Sequence, residues 1–324
     1  MRTHRGRWGA AALAFAVLVI LGSSLSFGAV GASSRPLPKP DGQSAPLISF
    51  RLGLPKGQTL FPNQRNYAQH AASPGPLMLF LPATGARPWD YRTFLRTAVA
   101  SGYDVLGLDY WNRGKSVVHT CGGDPECYTA VQRNRFDGSA PSAVSSVDPA
   151  NSILNRLTMA LAHLASVDPA GQWGRYIDHG EVDWSRIVLA GHSQGGGESA
   201  YIAHLHLVHG VLMFSSPVET NEGVPAAWMR EPGVTPASRM YGFVNQHDMY
   251  FSKIVGSWSE LKMQRAELPA EVPVPSGSHQ LVSTLDVGTA AESHGRTVSD
   301  STPRTPAGLP LYLPTWKWML DQTK

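Results

Sequence analysis

Three residues in the second half of the chain have side chains that could share one piece of chemistry. Ser193 lies in GHSQG, Asp248 in NQHD and His294 in AESHG. A serine hydroxyl is a weak nucleophile at neutral pH. It needs a histidine to take its proton and an acid to orient that histidine. A serine followed in chain order by an acid and then a histidine supplies all three groups. The G-x-S-x-G pattern alone is weak evidence in a chain with 32 glycines, so its surroundings must decide.

Those surroundings favour chemistry. RIVLAG (186–191) reads as a β-strand and GGESAYIAHLHLVHG (196–210) as a helix, which leaves Ser193 on the turn between them. A strand that reverses sharply into a helix brings backbone close to backbone, and Gly191 and Gly195 carry no Cβ to clash. The helix N-terminus behind the serine presents free N–H groups that favour developing negative charge.

The acid should follow a later strand. RMYGFV (239–244) is such a strand, and Asp248 comes just after it; the bland account is a loop carboxylate that caps the next helix. Glu219, after the preceding strand, is the alternative acid. The base should follow the last strand. HQLVSTL (279–285) is the best candidate there, since EVPVP (271–275) has prolines where a ladder needs donors. His294 then lies beyond the strand end, with His279 at its start as the alternative base. His247 reads as a neighbour of the acid.

A tetrahedral intermediate also needs donors for its oxyanion. The Gln194 N–H, just after the nucleophile, is one. The other is expected in PATGA (82–86), after the buried run LMLFL, where the Thr84 N–H is the candidate; a plain tight turn explains the same small residues. Trp89, Tyr91, Tyr110 and Trp111 flank the strands that lead to this region. Trp111 is the candidate substrate contact, with core packing as the other account.

The elements that must hold these groups alternate along the chain. Strands are predicted over 47–54, 76–82, 103–111, 186–191, 210–216, 239–244 and 279–285. Helices are predicted over 89–102, 150–167, 196–210 and 311–322. This alternation predicts an α/β fold: a mostly parallel sheet with helices on both faces. Residues 112–148 show little periodicity and read as a long functional loop. The stretch between the 210–216 and 239–244 strands is only about two dozen residues, which predicts a short cap and an open site, with 112–148 supplying a wall.

The first 32 residues read differently. MRTHRGR is basic, and the apolar stretch after it ends in Val30-Gly31-Ala32, the layout of a signal peptide. The alternative is a retained membrane anchor, because the apolar stretch approaches the roughly 20 residues a bilayer requires. A Pro-rich linker (33–45) and a single domain (46–324) are expected to follow. Arg2, Arg5 and Arg7 are the only formal charges before residue 33. The 27 Lys and Arg less those three equal the 24 Asp and Glu. A net charge near zero gives no reason to expect nucleic acid as a partner.

Cys121 and Cys127 are the only cysteines. In an exported chain such a pair most simply forms a disulfide, and no further ligands stand beside them to make a zinc site. His204, His206 and His209 suggest metal only at first sight. Residues two apart on a helix point about 200° away from each other, so no metal site is expected. His192 is assigned no chemistry.

The order Ser193…Asp248…His294, the GHSQG elbow and the PATGA loop resemble the α/β-hydrolase superfamily, over essentially 47–322. The resemblance implies a central, mostly parallel sheet, serine-based acyl transfer and no cofactor. One departure concerns the oxyanion loop, which reads LPATG where many members have His-Gly. In detail the chain looks like secreted bacterial esterase- or lipase-like proteins. The expectation is thus an exported serine hydrolase that cleaves small-molecule or lipid carboxylic esters, touching a membrane only if the leader stays as an anchor. The same residues would serve an acyltransferase or a peptidase, and a non-catalytic binding protein of this fold is the rival from another class.

Overall fold

The computed structural model describes residues 45–53, 59–264 and 277–324. The expected leader (1–32), the Pro-rich stretch up to residue 44 and EVPVP (271–275) lie outside the described residues.

Eight strands form one sheet: β1 (Ile48–Phe50), β2 (Asn66–Gln69), β3 (Leu77–Leu81), β4 (Asp104–Gly107), β5 (Ile187–His192), β6 (Gly210–Phe214), β7 (Met240–Asn245) and β8 (Gln280–Ser283). Their spatial order is β1-β2-β4-β3-β5-β6-β7-β8. From β4 to β8 every neighbouring pair is parallel, while β2 runs antiparallel to both β1 and β4. This is the α/β-hydrolase fold.

The central strands read as unbroken apolar runs because both of their faces are covered. In β3, Leu77, Leu79 and Leu81 point into one core cluster while Met78 and Phe80 point into the other, as the two-residue period of a strand requires. The first cluster is closed by the helices α4 (Ile153–Val167), α5 (Gln194–Leu205) and α6 (Phe251–Glu260), through Leu157, Leu161, Ile202, Ile254 and Trp258. The second is closed by α1 (Arg92–Ala100) and α8 (Leu313–Gln322), through Phe94, Leu95, Trp316 and Met319. No helix among the described residues is long and apolar enough to cross a membrane.

The stretch 112–148 is not the structureless loop predicted from its sequence. It contains α2 (Val117–Cys121) and α3 (Pro125–Asp137). Helix α3 starts where local chemistry favours it: Asp124 accepts hydrogen bonds from the Glu126 and Cys127 N–H groups, Pro125 sits at the first position, and Gly138 ends the helix in the left-handed region. Its apolar period is hidden because the buried face carries Gln132, Asn134 and Arg135. Cys121 and Cys127 are joined by a disulfide that ties the end of α2 to the first turn of α3. Strand β2 is not predicted from the sequence, since NYAQ lacks the apolar run of its neighbours. The predicted 103–111 strand is hydrogen-bonded in the sheet only over Asp104–Gly107.

Between β6 and β7 there is only a two-stranded hairpin (220–225) and two short 3-10 turns. This short cap leaves the carboxyl ends of the central strands accessible from above.

Candidate active site

Ser193 occupies the turn between β5 and α5 with φ +52° and ψ −116°, a conformation an L-residue adopts only under constraint from its surroundings. The constraints are visible. The Ser193 N–H donates to the Phe214 carbonyl at 2.9 Å, and the Ser193 carbonyl accepts from the Gly196 and Gly197 N–H groups. A Cβ on Gly191 would fall 2.2 Å from the Gly195 carbonyl oxygen, so the turn closes this tightly only on glycine.

His294 arrives from the opposite side on α7 (Ala290–Gly295), the short helix after β8. Thr289 and Glu292 start that helix with reciprocal hydrogen bonds: the Glu292 N–H donates to the Thr289 hydroxyl, and the Thr289 N–H donates to the Glu292 carboxylate. The Nε2 atom of His294 lies 2.8 Å from the Ser193 hydroxyl oxygen, and Nδ1 lies 2.9 Å from both oxygens of Asp248. A carboxylate can only accept, so Nδ1 carries the proton and Nε2 presents its lone pair to the Ser193 O–H.

Asp248 follows β7 and is buried to the last side-chain atom. Its Oδ1 also accepts from the Tyr250 N–H at 2.8 Å. The loop that holds it is anchored at Asn245, whose amide donates to the Leu285 carbonyl and whose Oδ1 accepts from the His247 N–H. The Tyr250 ring stands edge-on to His294 at 5.2 Å.

The two alternative residues lie elsewhere. His279 donates from Nδ1 to the Met240 carbonyl and stacks on Tyr241. Glu219 is buried, with Trp228 donating to it at 2.7 Å and Gln132 donating to its other oxygen. Burial pushes the Glu219 carboxyl up to about 7.

The PATGA loop lies against the elbow. Thr84 donates its hydroxyl to the Gln194 side chain at 2.8 Å, Gln194 donates to Tyr110, and Tyr110 donates to the Pro82 carbonyl. The Ala83, Gly85 and Ala86 N–H groups are taken by the Tyr91 hydroxyl, the Asn112 carbonyl and the Ala83 carbonyl. Neither the Thr84 N–H nor the Gln194 N–H, both beside Ser193, donates to a protein acceptor among the described residues.

His192, given no chemistry from the sequence, turns out to link these parts. The Ala83 N–H donates to the Tyr91 hydroxyl, which lies 2.9 Å from His192 Nδ1, and His192 Nε2 lies 2.9 Å from the His294 carbonyl. The carbonyl can only accept, so Nε2 carries the proton and Tyr91 donates to Nδ1. Complete burial, reinforced by His294 nearby, pushes His192 down to about 3, which keeps it in this neutral form. The GHSQG stretch carries no signal of the link, because Tyr91 is 101 residues away.

A cleft opens onto Ser193. Thr84, Gln194 and Tyr250 stand beside the serine, Val117, Val118, Gln132 and Arg135 form a wall, and Val218 and Glu219 come from the cap. Trp111 is not on that wall. Its ring faces the Arg135 guanidinium at 5.6 Å, and Tyr91 and Tyr110 are core residues. His204 and His206 pack on Trp228 and Trp184.

No protein-family model matches the chain, and no curated protein matches it. Among solved structures it is similar to carboxyl esterase 2 from the fungus Tuber melanosporum (14% identity, 89% of this chain and 95% of that one, TM-score 0.44). It is also similar to an S-formylglutathione hydrolase from Agrobacterium tumefaciens (13%, 86% and 95%, TM-score 0.42). A third is an esterase from Pyrococcus furiosus (12%, 76% and 86%, TM-score 0.41). The likeness is one of fold.

Proposed function

We propose that the chain is an exported serine hydrolase that cleaves carboxylic esters, with Ser193 as nucleophile, His294 as base and Asp248 as the acid that orients it. The observation that carries this reading is the single imidazole of His294 within 2.9 Å of both Ser193 and Asp248. In the reaction, His294 takes the Ser193 proton as the hydroxyl oxygen bonds to the ester carbonyl carbon. The oxyanion settles on the Gln194 and Thr84 N–H groups, which have no other acceptor. His294 then gives its proton to the leaving alcohol, leaving an acyl group on Ser193. A water activated by the same imidazole releases the acid and restores the serine. Asp248 keeps accepting from His294 Nδ1 and stabilises the transient imidazolium. No cofactor enters this sequence of steps. The short cap suits small or extended esters that approach from solvent, and the basic-then-apolar first 32 residues support export.

Fluorophosphonate labelling mapped by mass spectrometry tests the reading. The expected result is one adduct, on Ser193, absent in His294→Ala. Folded protein that takes no adduct would overturn it.

A further inference from the structure

Arg135 lies in the wall of the cleft that opens onto Ser193, yet only 1% of it is exposed. None of its three guanidinium nitrogens has a hydrogen-bond acceptor among the described residues. Its charge partner, Glu198 on α5, stands 3.6 Å away, and neither Glu198 oxygen receives a hydrogen bond. Both groups are fully desolvated, and a buried ion pair offsets that cost only when its remaining donors and acceptors are satisfied.

The other fully buried arginine shows what a structural pair looks like in this fold. Arg156 donates to the Asp109 carboxylate and to the carbonyls of Asn151, Asp109 and Pro62, all within 3.3 Å. Arg135 has no such set. Its five N–H donors are assembled beside the reaction centre and left without acceptors.

The remaining wall narrows what would complete them. Val117, Val118 and Val218 give the cleft an apolar flank, suited to a short hydrocarbon chain. A planar guanidinium fork matches a carboxylate in two-point contact. Burial also pushes Glu198 up, which disfavours its charged form beside Arg135.

We propose that Arg135 recognises a free carboxylate on the substrate, so that the preferred esters carry one a few carbons from the scissile carbonyl or on the alcohol. This rests on Ser193 being the nucleophile. Hydrolysis then adds water across the ester bond, and the carboxylate held by Arg135 leaves unchanged.

The test compares kcat/KM within two matched pairs: 4-nitrophenyl glutarate monoester against 4-nitrophenyl pentanoate, and 4-acetoxybenzoate against phenyl acetate. The expected result is a preference of at least tenfold for the acid in one pair. That preference should disappear in Arg135→Gln/Glu198→Gln, which removes both charges and leaves none stranded, and should rise in Glu198→Gln. A purely structural Arg135 predicts the same ratio in all three proteins, and that result, in variants with the parent circular dichroism, overturns the proposal. So does a parent that prefers neither acid. If no ester is turned over and no fluorophosphonate adduct forms, the hydrolase reading fails by itself. Isothermal titration with glutarate and 4-hydroxybenzoate then decides: binding lost in the double variant supports the anion subsite, and no binding to the parent overturns it.

Discussion

Gly195 stands against Leu81 so closely that a Cβ on the glycine would lie 2.0 Å from the leucine carbonyl oxygen. The first turn of α5 thus rests directly on the end of β3, and the Thr84 loop departs one residue later. Any side chain at 195 must push Leu81 and Pro82 away and carry the Thr84 N–H with them. Gly195→Ala is therefore expected to cost about 1–3 kcal/mol, the range for overpacking, and to slow fluorophosphonate labelling. Gly53→Ala, where a Cβ meets nothing within 4 Å, is the control. Labelling by Gly195→Ala at the parent rate would show that this contact does not set the donor geometry.

The assignment of acid and base predicts a sharp contrast between two variants. Asp248→Asn keeps the shape of the site but replaces the acceptor at His294 Nδ1, so single-turnover rates with a 4-nitrophenyl ester should drop about 10⁴-fold. His279→Ala removes a ring that packs on Tyr241 and touches nothing near Ser193. It should lower Tm while leaving the labelling rate within a few-fold of the parent. The reverse ranking would return His279 to the base position.

Some of this was legible in the residues. LMLFL and RIVLAG announced central strands because burial on both faces demands continuous apolar runs, and a serine between a strand and a helix announced an elbow. The sheet and the order of its parts follow from such local patterns. Helix α3 did not, because its buried face carries Gln132, Asn134 and Arg135, and a polar buried face erases the period by which helices are found. The same cause hid the cleft wall, since those side chains are what a ligand would meet. His192 was hidden for another reason: its partners, Tyr91 and His294, are brought to it only by tertiary structure.

The disulfide offers a separate handle on that wall. Cys121 and Cys127 close a loop with a sequence separation of only 6, for which chain entropy alone gives about 2 kcal/mol. Cys121→Ser/Cys127→Ser should lose roughly that much stability in urea. Because α2 and α3 carry Val117, Val118, Gln132 and Arg135 to the cleft, the KM for a hydrolysed ester should rise by more than kcat falls. An unchanged KM in the reduced-loop variant would mean that the wall is held by α3 packing and not by the bridge.

Glu219 and His192 pull the pH dependence of stability in opposite directions. Burial raises Glu219 from 4.5 to about 7, so between those values the folded state holds a proton that the unfolded chain has released. Stability from Glu219 is thus present below pH 4.5 and is lost as pH rises to 7, at up to about 1.4 kcal/mol per pH unit. His192 is depressed from 6.5 to about 3, so between those values the unfolded chain holds the extra proton. Its contribution rises with pH across that window at a similar slope. The two oppose each other from pH 4.5 to 6.5, and the parent should be nearly flat there as far as these groups decide it. Glu219→Gln removes one side of the balance. Measured by urea unfolding at pH 4.5, 5.5 and 6.5, its stability should climb with pH relative to the parent by about 1 kcal/mol per unit. A difference that stays constant over that range would mean that Glu219 keeps its proton equilibrium on folding, despite its burial between Trp228 and Gln132.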